Sequence, residues 1–159
     1  MMDIRVGYGY DVHAFAEDRA LWIGGIKIQH DRGLLGHSDA DVLIHAICDA
    51  LLGAAGLRDI GFNFPDTSDE FKGIDSKILL KRTVTLLFEH SWKVGNVDAT
   101  ICAERPKFKS IIPEMQKCLA PIMGISPDAV SIKATTTEKL GFTGREEGIS
   151  ASAVVLISR

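Results

Sequence analysis

The sequence predicts a single α/β or α+β domain with helices on one face of a sheet. The 159-residue chain is long enough to bury one substantial core and matches the usual size of one domain. Strand-like and helix-like segments are interspersed along it, without an internal repeat or a low-complexity linker. A hydrophobic content of 46% and a charged content of 25% are ordinary for a globular protein.

The N-terminal part predicts a strand, a bent pair of strands and a helix. Residues 4–8 favour a strand, and residues 20–28 a strand, a glycine-marked bend and a second strand. The first helix is expected from Asp39 to about Gly56, with Ser38 as its N-cap and Asp41 in its first turn. Residues 57–68 are predicted to be a loop, which at this length is often functional.

The remainder continues to alternate. We expect a helix over about 75–90, a strand over 94–103 and a break over 104–109. A helix over about 111–123, a strand over 130–134 and a final strand over 149–157 complete the pattern.

Charge and composition argue against several classes of protein. The net charge of −3 and the lack of a long basic run disfavour nucleic acid as a partner. The sequence offers no apolar stretch long enough to span a bilayer and no targeting segment, so a cytoplasmic protein is expected. Three cysteines in apolar segments, without a C-x-x-C pair, are typical of reduced thiols.

Asp11 and His13 are the first candidate ligands. They are predicted at or just beyond the end of the first strand, where residues two apart face the same side. A carboxylate and an imidazole suit zinc, but a catalytic zinc site usually has three protein ligands. The alternative is that Asp11 caps a turn and His13 is a surface or core histidine. His45, in a buried stripe of the first helix, is either a hydrogen-bonded core histidine or a third ligand supported by Asp41 or Asp49.

A polar segment over residues 133–145 is the second unusual stretch. It combines hydroxyls, an acid, two lysines, an arginine and glycines, as binding of a phosphate ester requires. Glu138 would be a ligand for magnesium or manganese, which prefer carboxylate oxygens and bind together with substrate phosphates. The alternative is a polar turn whose threonines bond to their own backbone.

Six stretches resemble one known family in order and without evident insertions. The chain is similar to the 2-C-methyl-D-erythritol 2,4-cyclodiphosphate synthase family at residues 10–13, 36–39, 59–61, 64–67 with 71–73, 95–98 and 133–145. The last run is specific to the family, whereas Asp-x-His alone is not. The resemblance implies an α+β single domain over residues 1–159, with a four-stranded mixed sheet backed by helices. It also implies a homotrimer with active sites at the subunit junctions.

The resemblance further implies the metal ligands and the reaction. Asp11, His13 and His45 would bind Zn²⁺, and Glu138 would hold Mg²⁺ or Mn²⁺. The family converts 4-diphosphocytidyl-2-C-methyl-D-erythritol 2-phosphate to the cyclic diphosphate and releases CMP, within the non-mevalonate isoprenoid pathway. The attacking group belongs to the substrate, so no protein nucleophile is needed. His37 and Thr136 would stabilise the transition state.

Substrate-contacting positions follow from the same resemblance. The phosphates would be contacted by Ser38, Thr135 and Thr137. The methylerythritol part would be held by Asp59, Ile60, Gly61, Phe64, Pro65, Asp66, Thr67 and Ser68. The cytidine part would be held by Ala103, Glu104, Arg105, Pro106, Lys107, Phe108 and Lys109. Phe142 and Arg145 would also contact ligand.

The trimer axis and two departures complete the expectations. Tyr10, Arg145 and Glu147 would line an axial channel in which family members hold an isoprenoid diphosphate. Arg105 stands where a small residue is expected, and Glu146 where glycine is common. These departures bear on the CMP contacts and on anion binding in the channel.

Three other classes of function remain open from the sequence. A zinc phosphohydrolase would use the same ligands with a bound water as nucleophile. A binding module for isoprenoid diphosphates would need the channel but not Glu138 or Lys107. A structural metal site would need a fourth protein ligand, for which the motifs offer no suitable residue.

Overall fold

The computed structural model describes residues 2–65, 67 and 69–159. The described chain alternates strands and helices, as the sequence predicts. Its strands are β1 Ile4–Ala16, β2 Leu21–Ile23, β3 Ile26–Ile28, β4 Gly33–Leu34, β5 Lys93–Cys102, β6 Val130–Thr135 and β7 Gly148–Ser158. Its α-helices are α1 Val42–Ala55, α2 Ile60–Asn63, α3 Ser76–Glu89, α4 Ile112–Met123 and α5 Gly141–Gly144.

The main sheet is mixed, in the order β4-β1-β7-β5-β6. Its strands pair antiparallel except for β5 and β6, which are parallel. The single α+β domain is therefore confirmed, but the expected number of four strands is wrong, because the sheet has five. The additional strand, β4, pairs two residues with Phe15 and Ala16 at the sheet edge, too short a segment for an alternating pattern to reveal.

The core lies between the sheet and α1. The side chains of α1 are almost all buried, and the helix packs on β1, β7 and β5 and on α3. Alternate residues of β1 on the other side of the sheet are exposed apolar or aromatic side chains: Ile4, Val6, Tyr8, Tyr10 and Val12. One face of the sheet is thus covered by helix, whereas the β1 part of the opposite face is bare in the single chain.

Two glycines allow α1 to lie very close to β1. A Cβ atom on Gly7 would overlap the backbone oxygen of Ala50, and one on Gly9 would overlap that of Ala46. Because alternate residues of a strand share a face, Asp11 and His13 continue the glycine face toward the same helix. This close approach brings the side chain of His45 on α1 next to both of them.

Two local predictions were wrong. β1 does not end near Tyr8 but continues to Ala16, so Asp11 and His13 lie within the strand. Its pairing with β7 continues as far as the Ala14–Gly148 pair, and this ladder outweighs the weak strand propensity of glycine and aspartate. The N-cap of α1 is Asp41 rather than Ser38, because the Asp41 side chain accepts a hydrogen bond from the Ile44 amide.

The later elements agree with the sequence. Asp75 caps α3, and α3, β5, α4, β6 and β7 begin and end within two residues of their predicted limits. The short helix α2, inside the predicted loop, was not expected. Cys48 is buried, Cys102 and Cys118 are half-buried, and all three are free thiols. Within the described part of the chain, every helix is too short or too polar to cross a membrane.

Candidate metal centre

Asp11, His13 and His45 meet at one point between β1 and α1. The Asp11 Oδ2 atom lies 2.9 Å from His13 Nε2 and 3.0 Å from His45 Nδ1. The two histidine nitrogens are 3.1 Å apart. Among the described residues, these three form the group of histidine and carboxylate side chains suited to a metal ion.

The three ligand atoms fit a tetrahedral ion. Zinc–nitrogen and zinc–oxygen distances of about 2.0–2.2 Å imply ligand atoms roughly 3.3 Å apart at tetrahedral angles. The observed separations of 2.9 to 3.1 Å are a few tenths of an ångström shorter. One carboxylate and two imidazoles leave a fourth position for water or substrate, as catalytic zinc sites do.

The other ring nitrogens are also engaged. His13 Nδ1 lies 2.7 Å from the Leu35 carbonyl oxygen, a geometry in which Nδ1–H donates and Nε2 presents its lone pair to the centre. His45 Nε2 lies 3.1 Å from Ser38 Oγ and 3.0 Å from Ser76 Oγ. Asp39 in turn binds the hydroxyl of Ser76 and, at 2.9 Å, its amide.

Asp41 and Asp49, the acids considered as support for His45, make their side-chain hydrogen bonds to other groups. Asp41 is fully buried, and besides capping α1 it accepts the amides of Gly24 and Gly25 at 2.9 and 2.7 Å. Asp49 accepts the Ile60 amide at 2.7 Å and so holds α2. The support of His45 by Ser38 and Ser76 was missed, because Ser76 comes from a helix start 31 residues away in sequence.

The electrostatics of the triad favour a cation. Burial would raise the pKa of Asp11, but its hydrogen bonds to His13 and His45 and their charges outweigh burial and lower the pKa to about 2. For His13, burial opposes the charged form, yet the bond to Asp11 raises its pKa above the usual value. A metal ion would take the place of the shared protons, since ligands must be deprotonated to bind it.

The triad opens into a cavity of about 390 Å³. Several predicted substrate or catalytic residues lie in its wall, namely His37, Ser38, Ile60, Gly61 and Phe64. Gly36, Phe71, Ile74 and Leu79 also line it and were not assigned to the site from the sequence. Of these, Gly36 and Phe71 stand inside the motifs that carry the resemblance, which is the signal that could have found them.

Three of the described residues predicted for this part of the site, Asp59, Pro65 and Thr67, do not line the cavity. Asp59 caps α2 by accepting the Phe62 amide at 2.8 Å. Pro65 and Thr67 are exposed. Asp66 and Ser68 lie outside the described residues.

A second, smaller cavity of about 140 Å³ lies where the parallel strands β5 and β6 end. It is lined by Ala103, Pro106, Lys107, Phe108, Lys109, Ala134, Thr135 and Thr136. All but Ala134 were predicted to contact substrate or phosphate. The two cavities share no lining residue in the single chain.

Two threonines of the polar turn after β6 donate their hydroxyl groups to backbone carbonyls of the same segment. Thr135 donates to the Thr136 carbonyl at 3.1 Å, and Thr137 donates to the Leu140 carbonyl at 2.7 Å. The alternative of locally bonded threonines therefore describes these two side chains. Thr136 instead donates to the exposed Glu138 carboxylate at 3.0 Å.

The two departures from the family pattern contact each other. Arg105 forms a forked ion pair with Glu146, with its Nη2 atom 2.8 Å from Oε2 and its Nε atom 3.2 Å from Oε1. The hydrogen bond from Arg105 also lowers the pKa of Glu146. Arg145 pairs separately with Glu147 at 2.8 Å, and Phe142 is partly exposed.

Other histidines and tryptophans have structural contacts. His90 caps the end of α3, where its Nδ1 atom lies 2.8 Å from the Leu86 carbonyl oxygen. The half-buried ring of His30 stacks on Phe15. Trp92 is buried in the core.

Fold and site together define a class: a single-domain α+β protein in which three side chains that could hold a metal ion open into a cavity. The profile of the YgbB family matches residues 4–158 of the chain. The chain therefore belongs to the YgbB family.

Similar proteins and solved structures agree with membership in this family. The chain is 71% identical over 158 residues to the 2-C-methyl-D-erythritol 2,4-cyclodiphosphate synthase of Phocaeicola vulgatus, covering 99% of each protein. A solved structure described as an IspF CDP complex from Plasmodium falciparum is 35% identical with a TM-score of 0.84, over 97% of this chain and 95% of that one. The bifunctional IspDF from Campylobacter jejuni is 42% identical with a TM-score of 0.95, and the chain covers 43% of it.

Proposed function

We propose that the protein cyclises 4-diphosphocytidyl-2-C-methyl-D-erythritol 2-phosphate to 2-C-methyl-D-erythritol 2,4-cyclodiphosphate with release of CMP. The observation that carries the proposal is the Asp11, His13 and His45 triad at a cavity large enough for part of such a substrate. Full-length relatives named for this reaction support it. The enzyme would be a phosphorus–oxygen lyase of the non-mevalonate isoprenoid pathway, acting in the cytoplasm.

The triad is proposed to hold Zn²⁺. When bound, zinc supplies Lewis-acid polarisation of a phosphate oxygen. The chain's own part is to fix the two imidazoles, through Leu35 on one ring and the serine hydroxyls on the other. A site with three protein ligands beside a cavity argues against a purely structural metal.

Residues around the reacting phosphates would position them and balance their charge. His37 and Ser38, in the wall of the larger cavity, and Thr136, in the wall of the smaller one, are assigned to phosphate oxygens. Glu138, exposed beside Thr136, is assigned to Mg²⁺ or Mn²⁺, which supplies charge neutralisation of the diphosphate when bound. Positioning and electrostatics of this kind carry most of the catalysis in phosphoryl transfer.

The smaller cavity is proposed to receive the cytidine part. Residues Ala103 to Lys109 supply backbone groups for a pyrimidine edge, and Lys107 and Lys109 supply positive charge. Thr135 and Thr137 would lie along the diphosphate, and the Ile60 to Phe64 wall of the larger cavity would hold the methylerythritol part. Asp59, Pro65, Asp66, Thr67, Ser68, Phe142 and Arg145 remain proposed contacts of the assembled site.

A homotrimer is proposed to bring the two cavities together. The bare outer face of β1, with Tyr8 and Tyr10 on it, offers the apolar surface that such an assembly needs. Two separate half-sites in one chain are what an active site at a subunit junction requires. Tyr10, Arg145 and Glu147 are assigned to an axial channel that holds an isoprenoid diphosphate.

Phosphorus NMR of the protein with the cytidine substrate and magnesium tests the function. We expect two coupled signals of a cyclic diphosphate together with CMP. Inorganic phosphate or a linear methylerythritol phosphate would instead establish a zinc phosphohydrolase. An unchanged spectrum from folded, zinc-loaded protein would establish a binding module.

A further inference from the structure

The turn after β6 has a backbone conformation that ordinary residues rarely adopt. Glu138 and Lys139 are consecutive non-glycine residues in the left-handed region, with φ values of 53° and 64°. Such residues persist where surrounding contacts hold them in place, and they often mark functional segments. The turn also carries Thr136 and Glu138, the residues assigned above to phosphate and to the second metal.

A single carboxylate oxygen holds this turn. Glu104 Oε1 accepts the Thr137 amide at 3.3 Å and the Lys139 amide at 3.0 Å, and so joins the amides on both sides of Glu138. Backbone amides that bond to a carboxylate form stronger hydrogen bonds than those to neutral acceptors. The half-buried Glu104 side chain is thus aimed at the turn, and it is absent from the wall of the smaller cavity.

The opposite side of the turn is held by α5. Thr137 Oγ1 lies 2.8 Å from the hydroxyl of the buried Thr143. A Cβ atom on Gly144 would overlap the backbone of Lys139, so α5 leaves this segment no room to move outward. The Glu104 hydrogen bonds therefore fix one side of the turn, and packing against α5 fixes the other side.

We propose that Glu104 is a positioning residue that couples the nucleotide loop, residues 103–109, to the phosphate turn, residues 136–139. Ala103, which precedes Glu104, and Pro106, two residues after it, line the smaller cavity, while the Glu104 carboxylate sets the conformation of the turn. This role replaces direct substrate contact by the Glu104 side chain. The proposal rests on the proposed function, because it takes the smaller cavity as the nucleotide site.

Two substitutions separate positioning from contact. Glu104→Ala removes the acceptor of both hydrogen bonds. Glu104→Gln keeps one side-chain oxygen, which is enough to accept from the backbone N–H groups of Thr137 and Lys139. The probe is CDP, titrated calorimetrically into the whole protein without a second metal. We expect Glu104→Ala to weaken CDP binding about tenfold and Glu104→Gln to change it less than about threefold.

Amide hydrogen exchange supplies a readout independent of the nucleotide. Exchange at Lys139 should accelerate in Glu104→Ala and stay near the wild-type rate in Glu104→Gln. Glu114→Ala, which removes an exposed carboxylate from the first turn of α4, is the matched control and should alter neither quantity.

The outcomes are distinguishable. Unchanged CDP affinity in Glu104→Ala would overturn the proposal, as would equal weakening in both variants with normal protection of the Lys139 amide, which would indicate direct contact. If wild-type protein failed to bind CDP, the nucleotide assignment would fall, and hydrogen exchange alone would still decide whether Glu104 holds the turn.

Discussion

The candidate metal centre and the turn at residues 136–139, proposed above as the phosphate turn, are built in different ways. Asp11, His13 and His45 stand on a long strand and a buried helix, whose positions are set by a continuous ladder and by close backbone packing. The phosphate turn lies between short elements and is held by individual side-chain contacts, with Glu104 the main one.

This difference predicts different responses to substitution. Side chains on rigid, packed elements keep their geometry until the element itself moves, so changes at the metal centre should act as all or none. A turn held by a few partly exposed hydrogen bonds should loosen by degrees. The following variants test that contrast.

The largest effect is expected from loss of a metal ligand. His45→Ala should lose zinc and lower the rate of cyclisation by about 1000-fold or more, because several kcal/mol of charge stabilisation depend on the ion. Asp11→Asn should do the same. Zinc content by atomic absorption and product formation by phosphorus NMR are the measurements.

The matched control is His90→Ala, since His90 only caps the end of α3. It should retain both zinc and activity. An active His45→Ala protein that contained no zinc would contradict the three-ligand assignment.

A change in packing should reach the metal centre through the backbone. Gly9→Ala places a Cβ atom against the Ala46 carbonyl oxygen and must push α1 away from β1. We expect a loss of about 3 kcal/mol in the free energy of unfolding, because overpacked cores relax poorly. Zinc affinity should fall with it, since His45 moves with the helix. Urea unfolding and zinc titration measure the two effects.

Gly53→Ala, on α1 itself, is the control, because it should change the free energy of unfolding in the opposite direction. A Cβ atom there meets open space, so the helix should gain about 0.5–1 kcal/mol of stability with zinc binding unchanged. Equal zinc affinity in the Gly9 and Gly53 variants would show that α1 does not set the ligand geometry.

The same contrast explains what could be predicted from the sequence. Element order follows from periodicity, because periodic patterns repeat along regular elements, whereas the mixed sheet and the complete triad follow from the resemblance alone. The extension of β1 to Ala16 and the edge strand β4 were missed, because they depend on pairing with distant strands. Contacts such as Ser76 with His45, or Glu104 with Lys139, join positions 31 and 35 residues apart and leave no periodic signal.

A smaller, graded effect is expected at Glu138, the proposed ligand of Mg²⁺ or Mn²⁺. Glu138→Gln removes the carboxylate charge but leaves the left-handed turn and the Thr136 contact possible through an amide oxygen. Magnesium and manganese prefer carboxylate ligands. The concentration of either metal ion that gives half-maximal activity should therefore rise about tenfold. Zinc content should be unchanged. A normal response to magnesium and manganese in this variant would refute the role of Glu138.

The smallest effect is expected at the Arg105–Glu146 ion pair. Arg105 is largely exposed, and solvent and salt screen such pairs, so Glu146→Gln should weaken CDP binding by less than about fivefold. Asp3→Asn, which breaks a comparable exposed pair with Arg159, should have no effect on CDP. Raising the salt concentration should bring the wild type and Glu146→Gln together, whereas the Glu104→Ala defect should persist, because Glu104 bonds to two backbone amides and not to an opposite charge that salt screens. If salt abolished the difference in CDP affinity between wild type and Glu104→Ala as well as that between wild type and Glu146→Gln, the turn would be held by surface charge and not by the Glu104 hydrogen bonds.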